Sequence, residues 1–371
     1  MSQRERILTV YRGETPDAVP FMLDLSHWFY HKHGRPWDLS VAFELPECPL
    51  IDYHKDAGVG FYLANLGCFY EVQHGDDVRA TVQKSADGLE IVWGYETPLG
   101  SIRRRRTWQA QTYSWAIPEW GIRTEEELEI LACALASRSY TPRWDLYQAW
   151  VEQVGDCGVV YMPAGYSAMG HLLHYWLGIE QTVYATMDWH ETVRNVVDRI
   201  NANCLECIDL LAQSPAEVII MGDNFSGDIQ PPDFFGEWSR AYYVEAIRRI
   251  HAAGKFAAIH IDGKLRGALD VFGELGADCA DAVTPIPMGD LSPEQCREEA
   301  GPELILSGGV SPDLWLPSTN AADFGNAVRR WLELRKHGAR LIANAGDQVP
   351  PGAAEDRIAL MRDMVEEHGR Y

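Results

Sequence analysis

The sequence predicts an α/β fold: a (β/α)8 TIM barrel spanning residues 1–371, with an antiparallel β-hairpin insertion at 67–106. Three observations predict it. Short, near-continuous apolar runs alternate with helical stretches, the pattern of a parallel sheet buried on both faces. The runs number eight, which favours a closed barrel over an open doubly wound sheet. No GxGxxG fingerprint follows the first run, as a dinucleotide-binding sheet would require.

The elements follow in order. The start, MSQRERILTVYRGE, is charged from its third residue and reads as an amphipathic helix rather than a secretory leader. VPFMLD (19–24) and GVGFYLAN (58–65) are the first two strands, separated by an aromatic loop, HWFYHKH, with the character of a lid or pocket wall. VRATVQKSADGLEIVWGYETPLGSIRRRRTW carries Asp-Gly and Leu-Gly turn signals between alternating runs, hence the hairpins. RTEEELEILACALAS (123–137) is a helix with a Thr cap and an acidic first turn. GVVYMPAG (158–165) is the third barrel strand, followed by a helical region from about Ser167 to Leu211. AEVIIMGDNF (216–225), KFAAIHIDG (255–263), CADAVTP (279–285), ELILSGGV (303–310) and ARLIANAGD (339–347) complete the set. Helices are expected around FFGEWSRAYYVEAIRRIHAAG, from about Leu265 to Leu275, and at AAEDRIALMRDMVEEHG.

Composition narrows the function. Of 371 residues, 46% are hydrophobic and 11% aromatic, enough for a large ordered core. Thirty-two basic against 54 acidic residues leave a net charge of −22, which repels nucleic acid and anionic membranes. The run Arg103 to Arg106 would point alternately to both faces of a strand, its arginines serving as ion-pair partners. No apolar run reaches the roughly 18 residues of a membrane span. Scattered cysteines and the absence of a leader suggest free thiols and a cytoplasmic location. Cys204 and Cys207 have metal or redox spacing but sit in a helical pattern, where core packing is the expected role.

The reactive residues of such barrels sit at the C-terminal strand ends. Here those ends read Asp24 with Ser26 and His27; Tyr166; Asp223 and Asn224; His260, Asp262 and Gly263; Thr284; Ser307; and Asn344 with Asp347. His260 and Asp262 are two apart on a strand, so their side chains leave on one side. They suit adjacent metal ligands completed by Asp347, or a carboxylate-oriented acid or base. Alternatively, Asp262 caps the helix that follows and His260 is a satisfied polar core residue. His171 and His174 lie three apart on a helix and are expected mainly to pack.

The order RERILTVYRGETPDAVPF, MGDNFSG…PPDFF, AIHIDG…LGAD…TPIPMGDL, LSGGV and GDQVPPGAAEDRIALM resembles the uroporphyrinogen decarboxylase superfamily over essentially the whole chain. That superfamily is a (β/α)8 group that also contains corrinoid-linked methyltransferases. Uroporphyrinogen decarboxylase proper holds its polyanionic substrate with arginines in the loop after the first strand. The corresponding loop here, DLSHWFYHKHGRPWD, has only Arg35. The methyltransferase branch is similar in a different respect. It uses zinc held by a His-x-Cys pair on the fifth strand and a Cys after the eighth, which fall on His260, Asp262 and on or beside Asp347. Replacing two thiolates by carboxylates argues against a thiol substrate and for polarising an oxygen or nitrogen from which a methyl group leaves.

The resemblance therefore implies a metal-assisted methyltransferase. It would move a methyl group from a small O- or N-methylated compound to a corrinoid on a separate partner protein, since no cobalamin-binding Asp-x-His-x-x-Gly signature is present. His260, Asp262 and Asp347 would hold a divalent metal such as zinc, with His260 and Asp223 catalytic. Asp24, His27, Trp28, Tyr166, Asn224 and Thr284 would bind substrate. Two alternatives stand beside it: a metal-free decarboxylase in which Asp24 or Asp223 holds a ring cation and His260 moves protons, and a non-catalytic small-molecule binder. A homodimer is the expected assembly.

Overall fold

The computed structural model describes residues 1–34, 38–63 and 69–371. Arg35, Cys68, the end of the second expected strand and the start of the expected insertion lie outside the described residues. Five strands come from the insertion and its surroundings: β1 (Tyr70–Gln73), β2 (Arg79–Lys84), β3 (Glu90–Thr97), β4 (Gly100–Gln109) and β5 (Ser114–Glu119). β6 (Ser139–Pro142) pairs antiparallel with β1. The parallel sheet contains β7 (Met162–Pro163), β8 (Val218–Phe225), β9 (Phe256–Ile261), β10 (Cys279–Val283), β11 (Ile305–Val310) and β12 (Leu341–Ala345), hydrogen-bonded in that order.

Regular parallel strands thus number six, where eight were expected. The segments around Phe21 and Gly60 contribute single parallel bridges instead: Phe21 to Ala343, Met22 to Gly60, and Phe61 to Gly158. Those bridges lead from β12 round to the residues just before β7. Two glycines permit them. A Cβ on Gly158 would lie 1.8 Å from the Phe61 carbonyl oxygen, and one on Gly60 would lie 2.6 Å from that of Phe21. Any side chain there would push the backbones apart.

Period-two alternation sorts the strands' side chains into two buried groups. Ile219, Met221, Ala257, Ile259, Ala280 and Leu306 belong to the larger apolar cluster, formed with the surrounding helices. Val218, Ile220, Ala258, Cys279, Ile305 and Ile342 form a second cluster on the opposite face of the sheet. The N-terminal helix Gln3–Tyr11 joins that second cluster through Ile7, Leu8, Val10 and Tyr11. Ser2 and Glu5 cap it reciprocally, as the capping-box spacing requires. Arg340 Nη1 donates to Val10 O at 2.8 Å, and Tyr11 packs against Phe256. The helix therefore lies across the N-terminal ends of the strands.

The antiparallel sheet β2–β3–β4–β5 extends to Glu119, beyond the expected boundary at 106. Its arginine run obeys alternation more strictly than its expected role. Arg105 pairs with Glu90 at 3.1 Å and with Glu119 at 3.4 Å, and Arg103 reaches Glu119 at 4.0 Å. Arg104 and Arg106 turn the other way, into aromatic rings, and form no ion pair among the described residues. Ion pairing thus accounts for half of the run.

Several expected elements differ in extent. The third strand shrinks to Met162–Pro163, the helix expected from about Leu265 is Leu269–Glu274, and the one around FFGEWSRAYYVEAIRRIHAAG is split into Pro232–Trp238 and Arg240–Ala252. The aromatic stretch after Asp24 is a helix, Ser26–Lys32, rather than a loop. The region after Ser167 is broken into several helices, Ile179–Asp188 and His190–Ala212 among them, at Gly178, whose φ of +85° and contact with Trp120 suit only glycine. The helix Glu125–Ala136 has the expected Thr124 cap, closed by Glu127. Cys204 and Cys207 are buried in the helix His190–Ala212, and the described cysteines form no disulfides. No helix among the described residues is long and apolar enough to cross a membrane.

Candidate active site

The alternation continues upward from the second apolar cluster. Two residues beyond Ala258 on the same side is His260; beyond Cys279 is Asp281; beyond Ile305 is Ser307; beyond Ile342 is Asn344. Register aligns them, since Asp281 stands opposite both His260 and Ser307. A polar layer therefore rests on an apolar one. Ser307 Oγ donates to Asp281 Oδ1 at 2.6 Å, and Asn344 Nδ2 donates to the same oxygen at 3.2 Å.

Asp281 was not among the expected site residues, although it is fully buried and central to this layer. Its signal was a lone carboxylate in the short apolar run CADAV, in phase with Cys279. Burial pushes its carboxyl pKa up, opposed first by His260 and then by Ser307. Its Oδ2 has no hydrogen-bond partner.

Asp24 is the second such group. It is buried, and Oδ1 accepts from Ser26 N at 2.9 Å and Ser26 Oγ at 2.6 Å. Its Oδ2, like Nδ1 of half-buried His260, is unpartnered. Burial raises the Asp24 pKa; hydrogen bonds from Ser26 and the charges of His27 and His260 oppose the rise. Asp347 follows β12 in the same neighbourhood. Burial first, and then the nearby Asp262 charge, push its carboxyl up to about 7, while His260 and the Gln348 N–H pull the other way. Asp262 also lies close enough to bear on His174, whose pKa is lowered mainly by burial. It does not cap the next helix, which begins after Ala268.

The carboxylates of Asp24, Asp281 and Asp347 thus bear on one imidazole, and that of Asp262 bears on Asp347. Among the described residues, however, no group of three His, Cys, Asp or Glu side chains is arranged to hold a metal ion. As packed, His260, Asp262 and Asp347 are electrostatic neighbours without being a ligand set.

The remaining expected residues divide. Asp223 is saturated: Oδ1 accepts from Ser167 N at 2.7 Å, and Oδ2 accepts from Ser167 Oγ and from Tyr243 OH at 2.9 Å. With both oxygens taken, it braces the end of β8 against the turn at Ser167. Asn224 has a left-handed φ of +47°, uncommon for a residue other than glycine, and its Oδ1 accepts from Tyr166 OH at 3.2 Å. Thr284 Oγ1 donates to the Gly346 carbonyl, tying the end of β10 to that of β12. Trp28 is buried in the core, with Nε1 donating to Ala353 O at 3.0 Å. His27 turns to the insertion, its Nε2 2.8 Å from Tyr113 O. Of the expected set, then, the structure brings together His260, Asp262, Asp347 and Asp24, with Tyr166 and Asn224 at their edge.

Comparison with known proteins agrees with this architecture. The chain superposes over 99% of its length on 99% of a solved chain, "methyltransferase from Methanosarcina mazei", with a TM-score of 0.62. Their sequences are 14% identical, so the likeness is one of fold. No curated protein sequence gives a significant match. The uroporphyrinogen decarboxylase (URO-D) family matches residues 165–368, a span holding β8 to β12 and with them His260, Asp262, Asp281 and Asp347. Because that match takes in more than half of the sequence and the polar interior built on it, the chain belongs to the uroporphyrinogen decarboxylase family.

Proposed function

We propose that the chain is a methyltransferase that removes a methyl group from a small O- or N-methylated compound, working in the interior of an eight-fold barrel closed through the Phe21, Gly60 and Gly158 bridges. The observation that carries this reading is the convergence of Asp24, Asp281 and Asp347 on His260, with Asp262 beside Asp347 and three unpartnered polar atoms among them. Family membership supports an enzyme, and the fold is one that a methyltransferase also uses.

When a methyl group leaves an oxygen or nitrogen, the bonding pair stays on the heteroatom, which then needs a proton. A carboxyl that titrates at about 7 is partly protonated at neutral pH and can supply that proton. Asp347 is therefore the proposed acid, and His260 returns the proton from solvent. The acidic surround favours a neutral or cationic donor and disfavours a carboxylate bound beside His260. A corrinoid on a separate protein is the proposed acceptor, and it would take the methyl group. A divalent metal, zinc in the first instance, is the alternative arrangement: it would require His260, Asp262 and Asp347 to turn toward one ion, and Asp347, deprotonated as a ligand, would not then be the acid.

Incubating the protein with free cob(I)alamin and a panel of methoxylated and N-methylated compounds tests the reading. Demethylated product, detected by mass spectrometry and lost in His260→Ala, is the expected result. Carbon dioxide release from carboxylate substrates without demethylation would establish the decarboxylase instead. Ligand-induced thermal stabilisation without either product would establish the binder. Metal analysis of protein purified without chelator or nickel resin separates the two: stoichiometric zinc that disappears in Asp262→Ala/Asp347→Ala would establish the metal and end the acid role of Asp347.

A further inference from the structure

A second cavity, of about 340 Å³, lies between the antiparallel sheet and the barrel rim at Gly165 and Tyr166. Its walls are largely aromatic, including Trp93, Tyr95, Tyr166, Tyr175 and Trp176, with Arg104 and Arg138 as the cations. Arg104 is 6% exposed. Its guanidinium lies 4.3 Å from the Trp93 ring centre, 4.6 Å from Tyr175 and 5.3 Å from Trp176. Nε and Nη1 have no hydrogen-bond partner.

A buried guanidinium is normally paired, because removing it from water costs several kcal/mol. Ring faces recover only part of that. Arg103 and Arg105, on the other face of the same strand, both have glutamate partners. Arg104 does not, and neither does Arg138, which bonds Leu135 O, Asn203 Oδ1 and Cys204 Sγ. The undescribed residues include no carboxylate that could serve. In a chain of net charge −22, cations without acid partners are conspicuous. Burial, and then Arg106, push the Arg104 pKa down only to about 10, so it is charged at neutral pH.

We propose that this cavity binds an aromatic carboxylate, with the ring between the aromatic walls and the carboxylate on Arg104. A guanidinium fork matches a carboxylate in two parallel hydrogen bonds, which a neutral ligand cannot return. The volume is of the size that small-molecule sites occupy. The site is distinct from the carboxylate-ringed interior, and its occupancy does not depend on methyl transfer.

Titration of the intact protein with benzoate and 4-methoxybenzoate, read by calorimetry and by quenching of tryptophan fluorescence, tests it. Both acids are expected to bind, and benzamide, the neutral isostere, to bind at least roughly tenfold more weakly. Arg104→Met should weaken benzoate by a similar factor, Arg104→Lys should restore part of it, and Arg105→Met should bind as the parent does. Failure of both acids to bind, equal binding of benzamide, or unchanged affinity in folded Arg104→Met would each overturn the proposal. Should Arg104→Met not fold, the benzoate–benzamide contrast on the unaltered protein decides. Because no turnover is measured, a negative methyl-transfer assay leaves this result standing, and the reverse also holds.

Discussion

Two regions that share Tyr166 hold charges of opposite sign, and neither neutralises its own. Around His260, the carboxylates of Asp24, Asp281 and Asp347, with Asp262 beside them, gather with no arginine or lysine bonded to them among the described residues. Across Tyr166, Arg104 and Arg138 gather with no carboxylate. Elsewhere the same chain pairs its charges, as Arg6 does with Asp17 and Arg330 with Glu294. Buried Arg357 and half-buried Arg297 also lack carboxylate partners among the described residues, but each donates to a backbone carbonyl, whereas Nε and Nη1 of Arg104 have no acceptor. Burial acts on the two regions differently. A carboxyl can relieve its desolvation by taking a proton, as Asp347 does near neutrality, whereas a guanidinium stays charged and must find an acceptor. The acidic region can manage with protons; the basic one cannot, which is why a bound anion is proposed there.

The largest expected effect lies on the acidic side. His260→Ala should lower demethylation by about a hundredfold or more, the usual scale of general acid–base loss, with the melting temperature nearly unchanged. A variant that keeps full activity would remove His260 from the chemistry and blur the contrast between the regions.

Next comes the carboxylate that is satisfied. Asp223→Ala strands Ser167 N–H, Ser167 Oγ and Tyr243 OH in a buried setting, and should cost about 2–4 kcal/mol in denaturant unfolding. Asp281→Asn keeps the bonds from Ser307 and Asn344 within reach of one oxygen and should cost less than that.

A smaller effect separates burial from pairing. The Asp347 pKa is raised on folding, so the folded state binds a proton that the unfolded chain takes up only near pH 4. That contribution is fully present below about pH 4 and is lost as pH rises to about 7. Asp347→Asn should flatten the decline between those limits and be the more stable form above pH 7 by about 1 kcal/mol or more. Identical pH profiles for parent and variant would show that Asp347 is not the strained carboxyl.

Least should change on the outer face of β4. Arg105→Ala breaks half-exposed ion pairs with Glu90 and Glu119 and should cost under about 1 kcal/mol.

Much of the parallel sheet was legible because period-two burial and apolar runs are local properties. The six regular strands fall inside the expected segments, and His260 with Asp262 was visible from spacing alone. What escaped detection depends on partners distant in sequence. Asp223 looks as available as Asp24 until Ser167 and Tyr243 arrive from other elements to occupy it. Asp281 sits in a run too short to register as a confident strand, and only its alignment with His260 shows its place. The arginine run was legible as two-faced. That one face meets glutamates while the other meets Tyr175 and Trp176, roughly seventy residues on, is fixed by tertiary packing.

The helix Gln3–Tyr11, lying across the beginnings of the strands, closes off the end of the sheet opposite the polar layer. On the proposed reading, a ligand reaching that layer would have only the other end to enter and leave by. A donor and a bulky acceptor would then have to queue at it, and the spent donor's departure would set when the acceptor can approach. Shortening the first eleven residues would open a drain at the far end, an alteration that admits water behind the reacting groups without touching any of them.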